Sequence, residues 1–385
     1  MNFDLSDEQR MIRDTAREFT REQITPQVAR LEQEKRYPYE IMAQMAELGL
    51  MGIPIPEQWG GAGGDWVGMH LCIEEISRGD PSLGAMLDIT VSVVAQELLV
   101  FGNEEQRKRY LSPLARGEAV GAFALTEADS GSDAAAMRTT AVRQGGEYIL
   151  NGNKQFITNI GLEHASLALV AAKTTLEDGS STISTFIVPK DSPGLTIGPA
   201  YAKMAWATSA THEMIMEDCR IPAGNLLGDP RRGLAQHLAV LETGRISIAA
   251  VAVGAAAACL ELALTYATQR RQFGRPLIDF QAVEFKLADM AMHIELARNQ
   301  YLKAACLKDQ GRPHTLEATV AKLFASEMAE RAASDAVQIH GGYGYMNEYA
   351  VSRFYKGVKI LQIVEGTSEV QRMLLGRLLR AGRLP

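Results

Sequence analysis

The chain has 385 residues, 46% of them hydrophobic and 22% charged, with a formal net charge of −7. That length supports a substantial core and more than one packed unit, and that balance excludes a disordered chain. The acidic total excludes a global attraction to nucleic acid or anionic membrane, leaving Arg270, Arg271 and Arg275 as a local basic cluster able to meet phosphates.

Met1-Asn2-Phe3-Asp4 starts acidic and polar, so no signal or transit peptide is expected. From there to about Glu118 the periodicity is helical. Ser6 and Asp7 are the expected caps of a helix over Glu8 to Phe19. Apolar residues recur through Ile41, Met45 and Leu48 and end at Gly49. The stretch from Trp59 to Gly64 is a glycine-rich loop, and a helix from about Asp65 to Arg78 stops before Asp80-Pro81. Val91 to Phe101 reads as another helix, closed by Gly102-Asn103.

From about Gly121 to Asp229 the pattern changes. Thr140, Val142, Tyr148 and Leu150 flank Gly145-Gly146 and predict a hairpin. Ser166 to Ala172, Ser184 to Val188 and His212 to Cys219 read as further strands, and this spacing predicts a small β-barrel or sandwich. Helices return from about Gly233. The uncharged, alanine-rich run between Arg245 and Glu261 falls short of the roughly 18 residues a membrane helix needs and reads as a buried helix. Val283, Leu287, Met290, Ile294 and Ala297 form one apolar stripe. Gly311-Arg312-Pro313 precedes a helix from about Leu316 to His340, and a last helix runs from about Thr367 to Leu379. The expected units are 1–120 (helical), 121–230 (β) and 231–385 (helical).

Cys72, Cys219, Cys259 and Cys306 are far apart and contain no C-x-x-C pair. They read as reduced, mostly buried thiols of a cytoplasmic protein. No H-E-x-x-H is present, so no metal site is expected, and Gly342-Tyr343-Gly344 lacks the third glycine of a Rossmann fingerprint.

Five segments carry chemistry. Ile363-Val364-Glu365-Gly366-Thr367-Ser368-Glu369 sets a carboxylate at a glycine turn. Burial against Ile363 and Val364 would raise the proton affinity of Glu365 into the range of a base, and Gly366 allows close approach to a ligand. The others are Phe123-Ala124-Leu125-Thr126-Glu127-Ala128-Asp129-Ser130-Gly131-Ser132-Asp133, Asn151 to Asn159, Arg270 to Pro276 with Gln281, and Gln338-Ile339-His340-Gly341-Gly342. In this order, with Gly49 to Pro54 and Trp59-Gly60-Gly61, the chain closely resembles the acyl-CoA dehydrogenase family of flavoenzymes over essentially its whole length. It looks most like the short-chain and branched-chain members.

That resemblance implies an α+β, mainly α fold: an N-terminal helical bundle, a middle β domain and a C-terminal four-helix bundle. It implies FAD as cofactor. Phe123, Leu125, Thr126, Phe156 and Thr158 would hold the isoalloxazine, with Phe156 standing where many members have tryptophan. Gly131 and Ser132 would approach the pyrophosphate, and Thr367 and Glu369 belong to the same cofactor set. Arg270, Phe273, Gln281, Gln338, Gly341 and Gly342 resemble the group that reaches a flavin from a neighbouring subunit, which implies a homotetramer.

For the substrate, the resemblance assigns Glu365 as catalytic base, with its own backbone N–H and a ribityl hydroxyl polarising the thioester carbonyl. Ser132, Glu242, Arg245 and Gly366 would contact the acyl-CoA. Some members carry the base on a facing helix, where this chain has Gly244. Glu242 lies two residues, about 200°, away and cannot easily stand in. The implied reaction is α,β-dehydrogenation of an acyl-CoA in lipid or amino-acid catabolism, with electron-transferring flavoprotein as acceptor. Two alternatives share the scaffold: an oxidase or dehydrogenase of carrier-protein-bound acyl groups, and a flavin-bearing protein that associates with DNA. Against the latter, Arg377, Arg380 and Arg383 are too few to serve as a patch.

Overall fold

The computed structural model describes residues 4–382, so Met1-Asn2-Phe3 and Arg383 lie outside the described residues. The order is helices, strands, helices. Ser6 caps the Asp7–Phe19 helix reciprocally: Gln9 N–H donates to Ser6 Oγ at 3.1 Å and Ser6 N–H donates to Gln9 Oε1 at 3.0 Å. Asp7 is therefore not a cap but the first helical residue, where its charge complements the helix dipole. Ile41 and Met45 are buried as the stripe requires, whereas Leu48 is 47% exposed. It lies past the end of the Tyr39–Glu47 helix, where the chain turns through Gly49 at φ 73°.

Asp65 accepts from Gly68 N–H at 2.7 Å and caps the Trp66–Gly79 helix. The next helix runs over Pro81–Phe101, not from Val91 as the sequence suggested. Pro81 and Gly84 look like breakers, but each has a local reason to be there. Proline is tolerated in the first helical turn, and Asp80 caps it by accepting from Ser82 N–H at 2.9 Å. A Cβ on Gly84 would lie 2.0 Å from Ser77 Oγ, so glycine lets the two helices meet. The helix takes π-type turns over Asp88–Ala95.

The strands are β1 (Val120–Ala124), β2 (Thr140–Gln144), β3 (Glu147–Thr158), β4 (Ala165–Thr175), β5 (Ser181–Pro189), β6 (Leu195–Ala200), β7 (Thr211–Pro222) and β8 (Leu226–Leu227). They form one sheet in the order β6-β7-β3-β2-β4-β5-β8, with β1 parallel to β4. The β2–β3 hairpin turns at Gly145-Gly146 as expected. β6 was not legible, because Leu195 to Ala200 is mostly half-buried or exposed and lacks an apolar alternation. Side chains alternate across β4. Ala168, Val170 and Ala172 meet Leu150, Phe186 and Met214 in the core of the β domain. Leu167 and Leu169 point the other way, to Val94 and Leu98 of the Pro81–Phe101 helix.

The C-terminal helices are Gly233–Gln269, Gln281–Asp309, Thr315–His340 and Ser368–Arg380, with a shorter Ala350–Val358 that the sequence reading did not separate. Leu287, Met290, Ile294 and Ala297 are buried, and Val283 packs at their edge. The Gly233–Gln269 helix is long and apolar enough to cross a membrane, so length does not decide its role. Burial does: every residue from Thr243 to Cys259 is covered by protein, in a core shared with the Trp66–Gly79 and Thr315–His340 helices. Cys72, Cys219 and Cys259 are buried and free, and burial pushes the Cys72 and Cys259 thiols up to about 12. Cys306 is exposed.

The central helix is fitted through glycine. A Cβ on Gly254 would lie 2.2 Å from the Glu74 carbonyl oxygen, a backbone atom that cannot swing aside. Gly254→Ala should cost about 1–3 kcal/mol and lower the thermal unfolding midpoint; an unchanged midpoint would show that the two helices are less tightly seated.

Candidate active site

Glu365 sits at φ 54° and Gly366 at φ 95°, two consecutive residues in the left-handed region. For a non-glycine residue that conformation costs about 1–3 kcal/mol and must be held by its surroundings. Three side chains hold it. Lys322 Nζ donates to the Gly366 carbonyl at 2.7 Å. Gln371 Nε2 donates to the carbonyls of Glu365 at 3.1 Å and Gly366 at 3.0 Å. Thr367 caps the Ser368–Arg380 helix by accepting from Val370 N–H at 3.3 Å, while Glu369 lies exposed in its first turn. Among the described residues the Glu365 N–H meets no acceptor, which leaves it available to a ligand.

The Glu365 side chain turns inward. The residue as a whole is half-buried, but Oε2 is fully covered and finds no donor while Asp88 is ionised. The carboxyl lies where a side chain at 244 would begin: a Cβ there would be 2.1 Å from Oε2 and 2.6 Å from the carboxyl carbon. A side chain at position 244 and the Glu365 carboxyl would thus be mutually exclusive occupants of one space. Burial raises the Glu365 pKa, against the lowering effect of a hydrogen bond from Asp88 and of the Arg245 and Lys322 charges. Burial lowers Arg245, opposed by Glu242 and Glu365, and lowers Lys322 to about 8.

Asp88 went unread in the sequence. It is fully buried, within hydrogen-bond reach of Glu365, and its pKa is raised well above the usual range by burial and then by the Glu365 charge. A signal was there: Asp88 is the single charged residue between Asp80 and Glu97, in a run that is otherwise apolar or small from Pro81 to Ala95. Lys322 and Gln371 were also missed, since a lysine among alanines and a glutamine in a last helix look solvated until the fold buries them. Glu242 is engaged elsewhere, accepting from Thr315 Oγ1 at 2.8 Å.

In the β domain the expected cofactor residues come together. Gln155 N–H donates to the Thr126 carbonyl at 2.8 Å, joining the Phe123–Thr126 and Phe156–Thr158 segments. The β3–β7 pairing slips between Lys154 and Ile157, and in that slip Phe156 adopts φ 61° with its ring 66% exposed. It is no core residue; an apolar face is held out at conformational cost, with the Tyr201 ring 5.7 Å away. Thr126 and Thr158 are half-exposed, Leu125 is covered, and Phe123 packs against buried His237 with the rings tilted by 36° and their centres 4.4 Å apart. Beneath them Lys154 is buried and donates to the Leu125 carbonyl at 3.0 Å and to Glu127 at 2.8 Å. Burial would raise Glu127, but Lys154, Thr139 and Arg138 hold it down to about 2. Gly131 and Ser132 lie on an open turn, and a Cβ on Gly131 would meet nothing within 4 Å.

The remaining set lies on the C-terminal domain. Arg271–Gln272 pairs with Arg275–Pro276 in a two-stranded arm, and Phe273 at its tip is 94% exposed. Arg270, Gly341 and Gly342 line a 480 Å3 cleft with Tyr266 and His340, whose rings stack at 4.3 Å. Gln281 and Gln338 are exposed. Among the described residues no hydrogen bond or ion pair links this set to Thr126, Phe156 or Thr158.

The chain matches the family models for the acyl-CoA dehydrogenase N-terminal domain over residues 6–118, middle domain over 122–219 and C-terminal domain over 231–379. It is 50% identical over 378 residues to a probable acyl-CoA dehydrogenase, YngJ, of Bacillus subtilis (strain 168), covering 98% of this chain and 99% of that one. The chain belongs to the acyl-CoA dehydrogenase family. Butyryl-CoA dehydrogenase from Megasphaera elsdenii superposes with a TM-score of 0.95 at 41% identity, covering 99% of this chain and 100% of that one. A chain from a structure described as the electron transferring flavoprotein of Acidaminococcus fermentans gives 0.95 at 43%, covering 98% and 99%. An acyl-CoA dehydrogenase complexed with FAD from Bacillus anthracis gives 0.92 at 34%, covering 99% and 69%.

In an acyl-CoA dehydrogenase the shared space of Gly244 and Glu365 has a measurable consequence. Gly244→Ala should push the carboxyl out of place and lower turnover by about 100-fold, with flavin content unchanged by absorbance. Undiminished turnover would mean that the position of this carboxyl does not limit the reaction.

Proposed function

We propose that this protein is an FAD-dependent dehydrogenase of acyl-CoA thioesters that forms the trans-2-enoyl-CoA, with Glu365 as the base. The observation that carries this reading is the buried Glu365 carboxyl, held on a left-handed turn in the space left by Gly244. A thioester α-proton is weakly acidic, so its removal needs a carboxylate fixed against the α-carbon and donors fixed against the carbonyl oxygen. Burial raises the proton affinity of Glu365, while Arg245 and Lys322 favour the ionised form that can accept a proton. The Glu365 N–H, presented by the same turn, is the chain's own donor for the thioester carbonyl. Glu242 and Arg245, which flank Gly244 on the Gly233–Gln269 helix, are assigned to the CoA side, with Ser132 and Gly366.

The residues present suit FAD. The exposed Phe156 ring offers a flat apolar face, the Thr126 and Thr158 hydroxyls stand beside it, and the open turn at Gly131 and Ser132 admits a pyrophosphate. When bound, FAD supplies the acceptor for the β-hydride at N5. Leu125 and Phe123 back the site, and Thr367 and Glu369 complete it from the helix after Glu365. The arm carrying Arg270 and Phe273, with Gln281, Gln338, Gly341 and Gly342, serves the flavin of a second copy, which makes the working form an oligomer, taken as a homotetramer. The named relatives favour a short-chain substrate and electron-transferring flavoprotein as the electron acceptor.

Anaerobic mixing with a panel of straight, branched and aromatic acyl-CoAs tests this reading, with fastest flavin bleaching expected from a short-chain ester such as butyryl-CoA. Absence of bleaching by every CoA ester, or oxygen uptake without another acceptor, would move the assignment to carrier-bound substrates or an oxidase. Glu365→Gln should keep its flavin and bind acyl-CoA, yet lose bleaching by about 10,000-fold; a normal rate in that variant would remove Glu365 as base.

A further inference from the structure

Two acids buried face to face pose a problem of proton count. Asp88 Oδ1 and Oδ2 and Glu365 Oε2 are all covered, and as carboxylates none of them has a donor. Ser247 is within reach of Asp88, but its single proton is also shared with Ser92 Oγ at 2.9 Å and the Thr243 carbonyl at 3.4 Å. Two like charges in contact inside a low-dielectric interior cannot both persist, so one proton belongs between the carboxyls. The surrounding charges decide which acid carries it. Arg245 on the Gly233–Gln269 helix and Lys322 on the Thr315–His340 helix both act on Glu365, with Glu242 and Glu369 facing those two cations. On its own helix Asp88 is the single charged residue between Asp80 and Glu97, and the charge that raises its proton affinity is that of Glu365.

We propose that Asp88 is a positioning residue for Glu365: it rests protonated and donates its hydrogen to the Glu365 carboxylate, fixing that carboxylate over Gly244. The proposal rests on the reading of Glu365 as base. At rest the pair carries one proton and one negative charge. When the substrate α-C–H bond breaks, an O–H bond forms on Glu365. The electron pair left on carbon becomes the new double bond as the β-hydride leaves to the FAD named above. The pair then holds two protons and no charge, a favourable state for buried acids, and releases one proton when product leaves. The same hydrogen bond tempers the base: it stabilises the carboxylate, so Glu365 stays ionised to lower pH than burial alone would allow.

The test follows anaerobic flavin reduction by butyryl-CoA across pH in the holoenzyme. In Asp88→Ala the donor is gone, and the acid limb of the reduction rate should move upward by about one pH unit, with acyl-CoA affinity little changed. Asp88→Asn keeps an N–H donor and should keep the wild-type limb. Independently of activity, the infrared spectrum of the resting holoenzyme should contain a neutral-carboxyl C=O band that Asp88→Asn removes; this reading survives even if the alanine variant does not fold. An acid limb unmoved in Asp88→Ala, or moved equally in Asp88→Asn, overturns the proposal and leaves the base assignment standing. So does a carboxyl band that the asparagine variant retains. Normal bleaching in Glu365→Gln is the separate result that removes the base and the pairing together.

Discussion

A carboxylate can be a strong base only where water does not stabilise its charge, and such a carboxylate does not stay in place unaided. Here the backbone at Glu365-Gly366 is bent into the left-handed region, and the loop's carbonyls are tied down by Lys322 and Gln371. The remaining architecture is arranged around that turn. The Thr315–His340 helix brings Lys322, the Ser368–Arg380 helix brings Gln371, and the Gly233–Gln269 helix provides the gap at Gly244. The two clamps differ in kind. Gln371 holds geometry alone, while Lys322 also places a positive charge near the acid, so a change at Lys322 alters both position and proton affinity.

At the proposed flavin face the strain is of the same type. Phe156 accepts a positive φ inside a strand slip so that its ring faces outward rather than into the β core. Beneath it a buried ammonium, Lys154, joins the Leu125 carbonyl to Glu127 and stiffens the segment that presents Thr126. Both halves of the site therefore spend backbone strain to aim one group, and both are fixed by a buried lysine bonded to a carbonyl. Energy of this kind is tolerated where the surrounding packing over-determines the conformation, as the continuous burial of Thr243 to Cys259 does beside Glu365.

Much of this was legible because the relevant features are local. Ser6 with Gln9, the Gly145-Gly146 hairpin and the Leu287-Met290-Ile294 stripe need only neighbours in sequence to declare themselves. Glu365 and Gly244 were legible through the family pattern, and their shared space gives that pattern a steric reason. What escaped reading depends on distant partners. Pro81 and Gly84 hid the start of a helix because their justification lies in Asp80 and Ser77, and with the helix start went Asp88. Lys322 gains meaning only from Gly366, and Gln371 only once the helix that bears it packs inward. Leu48 erred the other way: its spacing was helical, but the helix had already ended.

The central claim is that Glu365 removes an α-proton from a thioester while the flavin takes up the β-hydride. Its most direct measurement is the primary isotope effect on anaerobic flavin reduction with butyryl-CoA deuterated at the α-carbon. The account predicts bleaching that is slowed by α-deuteration, because the substrate α-C–H bond, whose proton passes to Glu365, breaks during reduction. Reduction at the same rate with both isotopologues, or reduction slowed only by deuterium at carbons beyond the β-position, would contradict it.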